Sequence, residues 1–211
     1  MRSLLIVPII HTEKDMGTLA GYLANKFIDT YGPEAYQDHV RTVEGMWLGI
    51  RNLLLKRLSE WAKVRLYQDG LPLCGREHEI VSQVAESGSE NHRLLLELVA
   101  KGARLEGTED PALLLEEYRF FKGMTEALSE EDRTDLVGRF NGRSDDLLRE
   151  RDRYMASRIS ETLKEGETGI LFVGLKHRTD EVLPEDIVPQ YVIHRLPFKE
   201  HLEQLIVKEE S

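Results

Sequence analysis

The chain has 211 residues, with 28 Lys and Arg against 38 Asp and Glu for a formal charge of -10, and no basic block forms a stripe that would follow phosphates, which argues against a nucleic-acid partner. A single cysteine, Cys74, excludes an internal disulfide and a thiolate zinc cage and fits a reducing compartment. The length suits one domain over residues 1–211, able to bury roughly 70% of its unfolded surface without staples.

Residues 3–10 are mostly apolar without alternation, the pattern of a strand covered on both faces. Pro8 interrupts that pattern, since proline is poorly tolerated inside a central strand. The start, MRSLLIVPII, meets HTEKD with no small-residue cleavage pattern, so it reads as a strand and not as a secretory leader. His11 then falls in a strand-to-helix turn. Asp15 caps a helix whose Leu19, Leu23 and Phe27 share a face, and Gly32 with Pro33 ends it. Pro33 opens a long helix to about residue 62, with Met46, Ile50, Leu53, Leu54, Leu58 and Trp61 as its buried stripe.

Residues 63–68 alternate like a strand, and Asp69 with Gly70 supplies the turn that closes it. Helical spacing returns over residues 76–86 and, after a Ser89 cap, over residues 89–101. Residues 103–106 form a short strand followed by GTEDP, which puts Glu109 and Asp110 at a strand end. Pro111 begins a helix carrying Leu114, Leu115, Tyr118 and Phe121. Ser129 starts another, which Gly138 and Gly142 should interrupt before Ser144 restarts it to about residue 164, with Leu148, Met155, Ile159 and Leu163 on one side. GILFVGLKH, residues 169–177, is a buried strand that delivers His177 at its carboxyl end. A loop or short helix through LPEDI, a last strand QYVIH and an amphipathic helix over residues 199–208 complete the chain. No apolar segment approaches bilayer length, so a cytoplasmic protein with no membrane partner is expected.

Strands alternating with helices predict a helix-rich α/β fold, a small and mostly parallel sheet with long helical insertions. Ligands in such sheets bind beyond the carboxyl ends of the strands, and that rule gathers His11, Asp69, Glu109 and His177. Two imidazoles and two carboxylates suit a divalent ion, held by His11 and His177, or act without metal as base, acid and electrostatic support. Simpler roles exist for each: histidines that satisfy turn carbonyls, a turn role for Asp69, helix-start charge for Glu109 and Asp110. Arg151 sits beside the buried stripe, where it would meet an anionic intermediate or substrate carboxylate, or snorkel to solvent. Cys74 lacks any nucleophile signature, and Gly88 and Ser89 separate His78 and Glu79 from His92.

RDRYMASRISETL, residues 151–163, is an arginine-led helix with a Met-Ala pair, and a strand ending in Gly174-x-x-His177 follows it. With a histidine after the first strand and the GTE turn midway, the chain resembles the TraB/Tiki superfamily, which includes erythromycin esterase-like and ChaN-like proteins. The element order matches over most of the chain, and the close motif similarity lies in the last fifty or so residues. The resemblance implies an α/β fold with its pocket at the strand ends and hydrolysis of a peptide or ester bond, metal-dependent in Tiki proteins with Mn, Co or Zn as candidates. ChaN-like members imply haem instead. It assigns Gly174 and His177 to the second Gly-x-x-His motif, Arg151 to the helix arginine and Glu109 to an acidic strand-end position. The chain departs from the pattern at Pro8, where the first motif lacks glycine, and at Gln68 and Asp69, where relatives often end the second strand in glutamate.

The resulting expectation is a hydrolase acting on a small molecule or peptide, with His11 or His177 activating water and Arg151 steadying negative charge, and with Asp69, Gly174 and Asp110 contacting the ligand. Two alternatives stand beside it: a noncatalytic small-ligand or haem-binding protein, and a scaffold whose long acidic helices bind a partner or form a homo-oligomer.

Overall fold

The computed structural model describes residues 1–9 and 20–193. Its strands β1 (Arg2–Ile9), β2 (Val64–Gln68), β3 (Arg104–Leu105), β4 (Thr168–Gly174) and β5 (Ile187–Tyr191) form one sheet in the order β3-β2-β4-β1-β5. Every pairing is parallel, so each connection must cross over and the crossovers supply the helices that cover both faces. These are α1 (Ala20–Tyr31), α2 (Pro33–Arg57), α3 (Glu77–Glu86), α4 (Glu90–Ala100), α5 (Pro111–Glu126) and α6 (Glu130–Thr162). The fold is a helix-rich α/β architecture.

Alternation along the strands divides the core in two. Leu5, Val7, Ile9, Leu66, Ile170 and Phe172 pack with Met46, Trp47, Ile50 and Leu54 of α2 and with Leu94, Leu95 and Leu98 of α4. Leu4, Ile6, Tyr67, Leu171 and Val173 pack on the other face with Met155, Ile159 and Leu163 at the end of α6. Each such side chain contributes about 1.5–3 kcal/mol when fully buried. Gly169 lets β4 fit this second face, because a Cβ there would lie 2.6 Å from Leu4 Cδ1 and 3.3 Å from Tyr67 Cε2. No helix among the described residues is long and apolar enough to cross a membrane.

Pro8 is accommodated by the end of a ladder. Ile6 turns its carbonyl toward β5 and accepts from the Val192 amide 2.8 Å away, the β5 register closes at Ile6 and Tyr191, and Pro8, two residues on, faces the same side beyond it. Its missing N–H therefore removes no sheet bond.

Several boundaries differ from those expected. The long second helix ends at Arg57, a 3-10 turn covers Trp61–Lys63, and Leu53 is exposed where the stripe had it buried. α6 runs unbroken for 33 residues through Gly138, Gly142 and Ser144. Both glycines sit in open space at exposed positions, and glycine lowers helix stability by only about 1 kcal/mol without removing a hydrogen bond. The last strand starts at Ile187, three residues before QYVIH, and carries Pro189 on an edge strand where proline is tolerated. A 3-10 segment, Thr179–Val182, precedes LPEDI. Asp15, Leu19 and the helix over residues 199–208 lie outside the described residues.

Candidate functional site

Four segments converge at the carboxyl edge of the sheet. β2 ends in a turn that places Asp69 beside β4, its amide donating to the Phe172 carbonyl at 2.9 Å. Gly70 follows with φ 79, a left-handed conformation that favours glycine, and this directs its N–H to Glu109 Oε1 at 3.0 Å. Beyond β3 the chain passes under this turn, where the amides of Thr108 and Glu109 both donate to the Leu71 carbonyl at 3.0 Å. Glu109 is fully buried as a result.

Arg151 enters from α6 and binds these carboxylates together. Its Nε donates to Glu109 Oε2 at 2.8 Å, its Nη2 to Glu109 Oε1 and to Asp69 Oδ1 at 2.6 Å each, and its Nη1 to Glu117 Oε2 at 2.9 Å. Burial opposes the Arg151 charge, and the adjoining carboxylates, Glu109 foremost, hold it protonated nevertheless. Burial also pushes the Glu109 carboxyl above the usual range, against the pull of Arg151.

His177 completes the group. The turn after β4 is closed by the His177 amide donating to the Gly174 carbonyl at 3.1 Å, and the imidazole lies between two acids. Its Nδ1 is 2.9 Å from Asp152 Oδ1 and its Nε2 3.4 Å from Asp69 Oδ2. Asp69 Oδ2 also accepts from the Gly174 amide at 2.9 Å. Asp152 holds the same loop at two further points, accepting from the Arg178 amide at 3.0 Å and the Thr179 hydroxyl at 2.7 Å. Burial pulls the imidazole pKa down, yet the hydrogen bonds to Asp152 and Asp69 prevail and raise it to about 9. Burial pushes Asp152 up, and its bonds to His177, Arg178 and Thr179 bring it below the ordinary range. His177 is thus an imidazolium at neutral pH. One side of the ring borders a cleft of about 240 Å³ whose walls include Ile6, Pro8, Val173, Arg178 and Tyr191.

The structure brings together Asp69, Glu109 and His177, as the strand-end rule expected, and adds Arg151 and Gly174 to them. Asp110 stands apart as the N-cap of α5, its carboxylate accepting from the Ala112 amide at 2.7 Å. His11 lies outside the described residues; Ile9, the last residue described before it, pairs with Gly174. Cys74 is exposed, Glu79 pairs with Arg76, and His92 is buried beside Ser89 on a different helix from His78. The sequence reading missed Asp152, Glu117 and Thr179. Asp152 had a signal, for it is the second residue of the RDRYMAS segment and an acid next to an arginine already singled out.

One carboxylate oxygen each from Asp69 and Glu109 and one ring nitrogen of His177 lie within 4.8 Å of one another, and such donors suit a divalent ion. Among the described residues the arrangement is a poor fit to one. Arg151 already occupies both Glu109 oxygens and Asp69 Oδ1, and an ion would have to displace the proton that Asp152 and Asp69 hold on His177. Nor does the cleft beside His177, about 240 Å³ as bounded by the described residues, enclose a haem. No protein-family model, curated protein or solved structure matches this chain, so the likeness to the TraB/Tiki superfamily rests on its motifs alone.

Proposed function

We propose that this chain is a hydrolase of an ester or peptide bond in a small molecule or peptide, with His177 handling the proton. One observation carries the reading: the His177 imidazole has a side-chain exposure of only 5% yet borders a cleft, and Asp152 fixes its Nδ1. A ring held between two carboxylates as a cation is suited to general acid catalysis, donating a proton to the departing oxygen or nitrogen. Water activation then falls to a carboxylate, and Asp69 is the one beside the ring. Arg151 acts as a positioning residue, since its contacts are with Asp69, Glu109 and Glu117. The Gly174-x-x-His177 motif and its resemblance to hydrolytic relatives point the same way.

The test is a screen of esters and peptides with purified protein, followed by His177→Gln and Asp69→Asn variants shown to be folded by circular dichroism. Loss of roughly 100-fold or more in turnover is expected from each. Full activity in folded His177→Gln would overturn the reading.

A second reading, a noncatalytic small-ligand protein, is favoured by the way three carboxylates engage Arg151 and leave the cluster largely satisfied within itself. It expects a thermal shift with a metabolite and no turnover by the wild type on any substrate. Turnover that disappears in His177→Gln excludes it.

A further inference from the structure

On the far side of the His177 loop lies a second cleft, of about 330 Å³, between α6 and the loop that follows β4. Four cationic side chains line it: Arg149 and Arg153 from α6, and Lys176 and Arg178 from either side of His177. The chain is acidic, and elsewhere its arginines are typically paired, as in Arg51 with Glu97, Arg76 with Glu79, Arg93 with Glu90 and Arg143 with Glu116. Here Arg149 pairs with Asp146, while Arg153, Lys176 and Arg178 form no ion pair among the described residues, Arg153 acting on Glu150 only from beyond contact distance. Asp145 and Glu181 border the same cleft and engage none of the three. Asp152, the remaining acid there, is committed to the His177 ring, the Arg178 amide and the Thr179 hydroxyl.

These positions are not free to scatter. Arg149 and Arg153 are four residues apart on one helix and so share a face. Lys176 and Arg178 belong to a loop fixed at three points by Asp152. Unpaired cations held together repel one another, and a bound anion removes that repulsion.

We propose that this cleft binds the phosphate group of a small phosphate monoester. A phosphate dianion offers three acceptor oxygens and enough charge to engage two guanidiniums and an ammonium together. The cleft volume falls within the roughly 300–1,000 Å³ of small-molecule sites, which leaves room for an organic portion against Leu148 and Val182, both on the lining. Arg178 borders both clefts, but the proposal does not rest on the acid-base role of His177 and is tested without any measurement of turnover.

The probes are glycerol phosphate and inorganic phosphate, titrated into the full chain at constant ionic strength and followed by amide NMR shifts over residues 175–179. Saturable shifts are expected, with affinity weakened roughly tenfold or more in R153E/K176E, about the worth of one charge-assisted hydrogen bond. The control R119E/K56E makes the same charge change at exposed positions elsewhere and should bind as the wild type does. If R153E/K176E does not fold, R153Q/K176Q replaces it with the same expected direction. Absence of saturation, an equal response to chloride, or unchanged affinity in the variant overturns the proposal. Tighter binding of malonate than of glycerol phosphate also overturns it, in favour of a carboxylate ligand.

Discussion

Asp152 Oδ1 lies 2.9 Å from His177 Nδ1, and the same carboxylate accepts from the Arg178 amide and the Thr179 hydroxyl. One side chain on α6 therefore sets both the orientation of the imidazole and the path of the loop that carries it. Asp152→Asn keeps the shape and removes the charge. The His177 pKa should then fall from about 9 toward its ordinary 6.5, as read by NMR titration of the ring. An unchanged value would mean that Asp69 alone holds the proton.

The same shift fixes a pH dependence of stability. A histidine whose folded pKa exceeds its unfolded value adds stability that is fully present below about 6.5 and is lost as pH rises through about 9. The difference corresponds to at most about 3 kcal/mol. Urea unfolding should therefore show stability declining between these limits, and His177→Gln should flatten the decline. A wild-type curve that is flat or rising across the window would contradict it.

Arg151→Met should be among the most damaging single changes, because it strands Asp69 and Glu109 as buried carboxylates without a counter-charge. A loss of about 3–5 kcal/mol is expected. Adding Glu109→Gln removes one stranded charge, so the double variant should recover part of the loss. The comparison is made by denaturant unfolding, and additive losses would argue against coupling of the pair.

Two glycine substitutions should act in opposite directions. Gly169→Ala forces a Cβ to 2.6 Å from Leu4 Cδ1 and should destabilise by about 1–3 kcal/mol through overpacking. Gly142→Ala meets open space inside α6 and should stabilise by up to about 1 kcal/mol. Thermal melting of the two variants distinguishes them by sign.

Asn91, in the first turn of α4, is fully buried, and neither its Oδ1 nor its Nδ2 is hydrogen-bonded among the described residues. Unsatisfied groups of this kind cost about 1–3 kcal/mol each. Asn91→Leu should raise the midpoint of thermal unfolding, and a lowered midpoint would indicate that the amide is satisfied in solution.

The sheet and the meeting place of the site were legible because both follow from simple periodicities. Apolar runs in β1 and β4 marked strands buried on both faces, and the rule that parallel sheets use their carboxyl ends brought Asp69, Glu109 and His177 together. Pairing within the cluster was not legible. The sequence offers Arg151 either substrate charge or solvent, whereas its geometry directs it to three carboxylates contributed by distant segments. Asp152 went unread because helical phase alone does not reveal which neighbour of an arginine will meet a loop. The continuity of α6 was missed for a related reason: glycine lowers helix propensity, but only proline removes the hydrogen bond, and no proline lies between residues 130 and 162.

The strand order also bears on how the chain emerges during synthesis. β1 occupies residues 2–9, yet its two neighbours are β4, at residues 168–174, and β5, at residues 187–191. A strongly apolar ribbon with two open edges therefore emerges well before either of its native neighbours. Vectorial folding cannot protect it, so nascent chains should depend on chaperones at this end. Moving β1 to follow β5 by circular permutation would shorten that wait and should improve the soluble yield on expression.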